Sequence, residues 1–418
     1  MRAMEPAIPR TRETVVMNFR ALRTAVLLFA GMAAGCGAGD AGRGDVVMRD
    51  SAGIQIVEAR RGLWPEGREW RVPSPPRLEI GVVEGDPAYQ LFRVTGATRL
   101  KDGRIVVANG GSSQLRVFDA DGRFLGEVGG PGEGPGEFRA LVGVWPYRGD
   151  SIAAWDGRLR RITVFDRELQ FVRSARLERP GFNPIVLGAF PDGSVVTFDE
   201  QLELPDASPR EQYGTFARHG PEGEFLDSIA RYPTFTTVPI QGPDGTNLFI
   251  SVVTFGPHTV AAVAPANFVV GTARDYELRV HSRDGLLVRL IRWHGPDRTV
   301  RDADVAKYRE ERLESARNVD ELRRVRAEIE QTPVAPEFPA YRMLVVDRTG
   351  NLWVESYPRP GENGRRRWTV FDAAGRMLGD VAIPERLWVF EIGDDYVLGV
   401  ERDELGVEYV RMYALVKP

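Results

Sequence analysis

The sequence predicts an all-β chain folded as a six-bladed β-propeller of four-stranded blades, with a helical hairpin inserted between blades four and five. Three observations carry this reading. The twelve residues from Val117 to Val128 (VFDADGRFLGEV) reappear almost unchanged from Val370 to Val381 (VFDAAGRMLGDV), with degenerate copies at Val164–Val172, His219–Ile229 and Val280–Ile291. Each copy is a β-rich run, a tight Asp/Gly turn and a second β-rich run, which is a hairpin pattern. Before each hairpin comes a turn followed by β-branched residues, beginning at Asp102, Gly149, Asp192, Ala266, Gly350 and Asp394. Three of the spacings between these starts are 47, 43 and 44 residues, the length of a four-stranded propeller repeat.

Composition sets the outer limits. The chain has 418 residues and a net charge of -4, a near balance that argues against a nucleic-acid binder held by bulk charge. Gly 45 and Pro 29 suit a fold with many turns. One cysteine excludes internal disulfides and Cys-based zinc sites, and four scattered histidines leave little for a His-rich metal site.

In chain order, residues 1–36 read as an export signal whose start is Met17. The basic stretch Met17–Arg23 precedes an apolar run from Thr24 to Ala34 that is too short to span a bilayer. Ala33-Ala34-Gly35-Cys36, followed by Gly37-Ala38-Gly39-Asp40, resembles a bacterial lipobox, which implies lipidation of Cys36. The alternative is an ordinary signal peptide with a coincidental cysteine. Loss of residues 1–35 removes five arginines and two glutamates and leaves a charge of -7. With no polybasic patch, membrane retention would rest on acyl chains. Residues 37–76 read as a tether, flexible to about residue 50, and an N-terminal extension. The propeller occupies 77–418.

The Gly-Pro-rich segment Gly129–Phe138, followed by a strand, an Asp-Gly turn, a strand and VFDADG, resembles NHL-type six-bladed β-propeller repeats from about residue 77 to the end. The resemblance implies the fold far more than an activity. Glu133 and Glu137 in that segment would repel phosphate, and no Lys-Ser/Thr follows, so it reads as a turn.

Blade six ends with Val407–Val416, which reads as a third strand with no fourth after it. Leu78–Gly81 is expected to supply the missing strand, with Gly53–Glu58 as the alternative. Either choice removes an open sheet edge.

Strand order places every long segment on one face: Glu200–Gln212, Arg231–Pro257, Gly295–Ala340 and Tyr357–Arg366. Loops elaborated on one side of a rigid scaffold are where binding groups gather. Within the helical insertion (296–340), Val305, Tyr308, Leu313 and Ala316 fall at helical spacing, as do Leu322, Val325 and Ile329. Asn318 and Glu321 suggest a capping box that starts a second helix. The insertion is either a lid or a decoration docked on the blade edge.

Candidate ligand-binding residues are those leaving each second strand on the elaborated face: Asn109, Asp156, Asp199, Arg274, Glu355 and Glu401. Such a ring would suit a polar ligand or Ca²⁺, although Asn and Asp also favour turns after strands. His258 and His294 could face the pocket or be plain loop residues. Arg365-Arg366-Arg367 could grip an anion or sit solvated at a loop tip. Trp353 and Trp368 read as packing between blades. No G-x-S-x-G or H-E-x-x-H motif is present. The expected protein is a monomeric binding module, exported and lipid-anchored in the bacterial cell envelope, holding a small ligand or an envelope protein partner on its elaborated face, with no nucleic-acid partner. A metal-dependent propeller hydrolase or lyase, lactonase-like or NHL-lyase-like, is the alternative from another class, with Ca²⁺ or Zn²⁺ in the acidic ring. A structural partner of an envelope complex is the third.

Overall fold

The computed structural model describes residues 45–418 except 180, 182–183, 204–207 and 243–247. The signal, its lipobox and Cys36 lie outside the described residues. Six sheets follow one another around a ring. Blade one holds β4 (Val94–Arg99), β5 (Ile105–Asn109), β6 (Gln114–Phe118) and β7 (Phe124–Gly129). Blade two holds β8 (Leu141–Pro146), β9 (Ile152–Asp156), β10 (Arg161–Phe165) and β11 (Phe171–Arg176). Blade three is built from β12 (Ile185–Ala189), β13 (Val195–Gln201), β14 (Arg210–His219), β15 (Phe225–Gln241) and β16 (Leu248–Val252). Blade four is built from β17 (Val260–Val263), β18 (Asn267–Gly271), β19 (Glu277–Ser282) and β20 (Leu287–Trp293). Blade five comprises β21 (Tyr341–Val346), β22 (Leu352–Ser356), β23 (Arg365–Phe371) and β24 (Met377–Pro384). Blade six comprises β25 (Trp388–Ile392), β26 (Tyr396–Arg402) and β27 (Glu408–Ala414), and its outer strand is β3 (Leu78–Ile80) from the N-terminal side, with Ile80 opposite Val410.

The repeated VFD sequence works through its aspartate. In three of the hairpin turns the carboxylate accepts two backbone N–H groups, two and four residues onward, whereas Asp166 in blade two accepts only the Gln170 N–H among the described residues. Asp119 takes those of Asp121 and Arg123, at 2.9 and 2.8 Å. Asp372 takes those of Ala374 and Arg376 at 3.0 and 2.9 Å, and Asp403 those of Leu405 and Val407. Asp347 makes the same clamp in a turn between first and second strands. A glycine follows the clamp at left-handed φ, +82° at both Gly122 and Gly375, where other residues are strained. One local instruction therefore builds the same turn in several blades.

Packing closes the ring. Alternation along the strands sends apolar side chains into the gaps between neighbouring sheets, and among the described residues there is one buried cluster per gap, six in all. An open row of six sheets would have only five. Ile80, Val107 and Val410 share the cluster between blades six and one, where the chain ends meet.

Three expectations need correction. Not every blade is four-stranded, because blade three has five strands and the blade-four sheet has six. Residues 46–50 are not tether. They belong to β1 (Val46–Ser51), which pairs with β2 (Ile54–Ala59), and β2 runs parallel to β20 on the outer edge of blade four. The Gly53–Glu58 region is therefore spent on blade four and not on closing the ring. Likewise, much of Arg231–Pro257 is sheet, since β15 overshoots its blade and folds back as β16.

Helices α1 (Asp302–Glu314) and α2 (Val319–Gln331) lie in the chain between β20 and β21. Asn318 Oδ1 accepts the Glu321 N–H at 2.9 Å, while the Glu321 carboxylate takes the Arg317 N–H at 3.0 Å. That is one residue short of the amide a capping box would use. α2 is held to the overshooting hairpin by Gln331, which exchanges two hydrogen bonds with the Gln241 backbone at 2.7 and 2.8 Å. α1 docks through Tyr308, edge-on to Phe255 at 5.1 Å, and Phe255 packs on Phe338, which meets Tyr357. Among the described residues no helix is long and apolar enough to cross a membrane.

Candidate functional site

In five of the six innermost strands a β-bulge interrupts pairing with the second strand, at Thr95, Val142, Leu187, Arg342 and Phe390. A bulge re-aims the extra side chain. Among these five residues only Arg342 carries charge. Its Nε lies 2.7 Å from Glu355 Oε2, and its guanidinium carbon lies 5.8 Å from the ring centre of Trp388. Glu355 leaves the end of β22 on the side facing blade six and is buried at 2% exposure. Trp388, the first residue of the innermost strand of blade six, is 51% exposed. A large aromatic side chain left half exposed at the start of an innermost strand, beside an arginine ion-paired with a buried carboxylate, is the arrangement expected of a ligand contact and not of a packing core.

Burial, partly offset by the nearby charges of Arg342 and Arg366, raises the Glu355 pKa above the ordinary glutamate value. His258 stands behind the pair, its Nε2 3.2 Å from the Arg342 carbonyl oxygen, and its burial lowers its pKa. Burial likewise raises Tyr357, with Tyr308 and Arg342 nearby. The elements that bring these groups together are β21, β22, the start of β25 and the chain around the helix pair. Glu355, His258 and Arg366, each a sequence candidate, therefore meet around Arg342.

The other candidates are placed differently, and the expected ring does not gather into one donor set. Asn109 Oδ1 accepts the Phe92 N–H at 2.8 Å and its amide donates to Ser112 Oγ at 2.8 Å. Asp156, fully buried, accepts four backbone N–H groups, from Arg139, Ala140, Arg158 and Leu159. Glu401 accepts the Tyr413 hydroxyl at 2.7 Å and pairs with Arg411. Asp199 is half-buried, lying against the Gly181 backbone. Arg274 is exposed and pairs with Glu211. Asn109 and Asp156 thus hold their own strand ends, the role short polar residues take where backbone amides need acceptors, while Glu401 is held by two side chains of the neighbouring strand β27. Among the described residues no group of three or more His, Cys, Asp or Glu side chains could hold a metal ion. The residues do not fit the Ca²⁺ expectation, since Asp156 has both oxygens taken by amides. His294 and Arg367 sit together elsewhere, at a gap between blades four and five. Arg365 is tied to the Val72 and Ala382 carbonyls.

Sequence reasoning missed Arg342 and Trp388. A bulge leaves no residue signature, and an arginine at a strand start resembles any solvated edge residue. Trp388 carried the one available signal, an aromatic at the outset of an innermost strand.

Residues 91–182, spanning blades one and two, match the DUF5128 family, described as a 6-bladed beta-propeller, in agreement with the six-bladed resemblance carried by the repeat. No curated protein sequence matches the chain. Among solved structures, a candidate exported protein from Bacteroides fragilis is similar at 14% identity, covering 87% of this chain and 100% of its own, with a TM-score of 0.46. A streptogramin B lyase is similar at 10% identity over 80% of this chain and 96% of its own, with a TM-score of 0.38. A gluconolactonase from Xanthomonas campestris is similar at 16% identity over 79% and 88%, with a TM-score of 0.38.

Proposed function

We propose that this chain is an exported, lipid-anchored binding module that holds a small ligand on its loop-elaborated face, at the channel mouth of blades four to six. The observation that carries the reading is Arg342, fixed by buried Glu355 on one side and set against the half-exposed ring of Trp388 on the other. A guanidinium offers planar, directional donors, and an open indole offers a flat apolar surface. Together they suit a ring-bearing ligand with a carboxylate or several hydroxyls. The docked helix pair beside Tyr357 acts as a wall of this mouth, its aromatic contacts holding Phe338 and Tyr357 in place. An acyl chain on Cys36 and export through residues 1–36 complete the proposal.

Titration of a panel of sugar acids and aromatic carboxylates, followed by tryptophan fluorescence, tests the reading. A binder should change the emission, Trp388→Phe should remove most of the change, and Arg342→Ala should weaken affinity at least tenfold. A binder whose affinity survives both substitutions would move the site elsewhere. For the anchor, Cys36→Ser should release the protein from membranes, and unchanged membrane retention would defeat it.

A further inference from the structure

Blade five turns two different faces to its neighbours. The side of β22–β24 facing blade six is apolar nearly throughout, with Trp353, Trp368, Val370 and Val381 in one buried cluster. The side facing blade four begins the same way, with Leu352, Val354 and Phe371. Toward the elaborated face it then becomes polar: Ser356, Arg367, Thr369 and Asp380. Blade four does not fill the space above these residues. A cavity of about 150 Å³ remains, floored by Ala340, Tyr341, Val354 and Met377, walled by Tyr276 and Trp293, and rimmed by His294. The two wall rings stand edge to face at 5.4 Å.

Two exposed side chains of opposite charge line this cavity. Arg367 donates from Nε to Ser356 Oγ at 3.1 Å and makes no ion pair among the described residues. Asp380 accepts the Thr369 hydroxyl through Oδ1 at 2.7 Å and likewise makes no ion pair among them. Thr369 and Asp380 are directly opposite in the β23–β24 register, with Arg367 two residues along on the same face. The two charges therefore line one pocket from adjacent strands without meeting each other. Each is oriented by a hydroxyl, and neither is neutralised.

We infer that this gap is a second binding site, separate from the channel mouth, for a small zwitterion of the α-amino-acid kind. The ligand carboxylate would take the terminal nitrogens of Arg367 as a two-pronged pair. Its ammonium group would take Asp380 Oδ2, and its short side chain would lie against Trp293, Tyr276 and Met377. The volume agrees, since a cavity of about 150 Å³ holds a molecule the size of benzene. A lone anion would leave Asp380 facing it, and a lone cation would leave Arg367, so each half of the molecule should bind far more weakly than the whole.

Calorimetric titration of the full chain with glycine, L-alanine and L-serine, and with acetate and methylammonium as the separated halves, tests the inference. At least one amino acid should bind saturably, at least tenfold more tightly than either half. Arg367→Ala and Asp380→Asn should each weaken binding tenfold or more, while Trp388→Ala leaves it unchanged. Both substituted residues are exposed, and an unaltered circular dichroism spectrum would establish that the variants fold. Absence of amino-acid binding, acetate binding as tight as the amino acid, or full affinity in the Arg367→Ala variant would each overturn the inference. Loss of binding in Trp388→Ala would overturn the separateness of the two sites.

Discussion

Arg411 on β27 holds Glu79 on β3, with Nε and Nη2 each 2.7 Å from the same carboxylate oxygen. The contact joins the last strand of the chain to an N-terminal strand of only three residues. It marks the closure but contributes little to its strength, because both side chains are partly exposed and such pairs contribute about 0–1 kcal/mol. Ile80 beside it is 1% exposed within the gap between blades six and one. Urea denaturation should show Ile80→Ala costing about 2–5 kcal/mol and Glu79→Ala about 1 kcal/mol or less. A neutral Ile80→Ala would mean that this strand does not close the ring.

The turn clamps make a second expectation. Asp372→Ala removes the acceptor of the Ala374 and Arg376 amides and should cost about 1–3 kcal/mol. Gly375→Ala adds a Cβ at φ +82°, 2.8 Å from Ile291 Cγ1, and should cost about 1–2 kcal/mol or more from backbone strain alone. Thermal denaturation of the two variants measures both.

Glu355 makes stability fall as the solution becomes more alkaline. Its pKa is raised in the fold, chiefly by burial, so between the ordinary glutamate value and the raised one the folded chain holds a proton that the unfolded chain has lost. Its contribution is complete below the ordinary value and declines as pH rises through that window. Glu355→Gln should flatten this part of a stability–pH curve. Arg342→Ala, which strands the buried carboxylate, should destabilise by about 3–5 kcal/mol at neutral pH.

Three histidines act in the opposite direction. Burial lowers the pKa of His219, His258 and His281, so they remain neutral in the fold while the unfolded chain protonates them below about pH 6.5. The unfolded state then binds more protons, and stability is lost as pH falls from about 6.5 toward the lowered folded values. Chemical denaturation between pH 7 and 5 should show this decline, and a shallower one for His258→Gln.

Removing the N-terminal hairpin should damage blade four. β2 buries Ile56, Val57 and Ala59, and Gln55 accepts from Arg289 Nε at 2.6 Å. Truncation through Ala59 should lower Tm and expose the β20 edge to association, visible as oligomers in light scattering. Ile56→Ala should cost about 2–5 kcal/mol, whereas Met48→Ala, at an exposed site, should stay within about 0.5 kcal/mol.

The repeat could be read in the sequence because its causes are local. An aspartate clamp with a glycine three residues on, flanked by alternating β-formers, specifies a hairpin wherever it occurs, and blade six was visibly short of one strand. The candidate site was less legible. Asn109 and Asp156 have the residue types of ligand groups, yet backbone amides from neighbouring loops use up their oxygens, and no pattern in the chain distinguishes a cap from a ligand. Arg342 and Trp388 come from different blades and gain their meaning only from being adjacent.

From the sequence alone, then, came the number of sheets, the preferred of two candidates for the closing strand and the expectation that long segments crowd on one face, because turns, alternation and strand order act over a few residues or by simple count. The tertiary structure alone decided that β2 would pair in parallel with β20 and carry β1 on its outer side, that a bulge would set Arg342 between Glu355 and Trp388, and that Arg367 and Asp380 would face one cavity without neutralising each other. Those outcomes depend on contacts between segments far apart in the chain, and the free energy of such contacts exists only once the ring has closed.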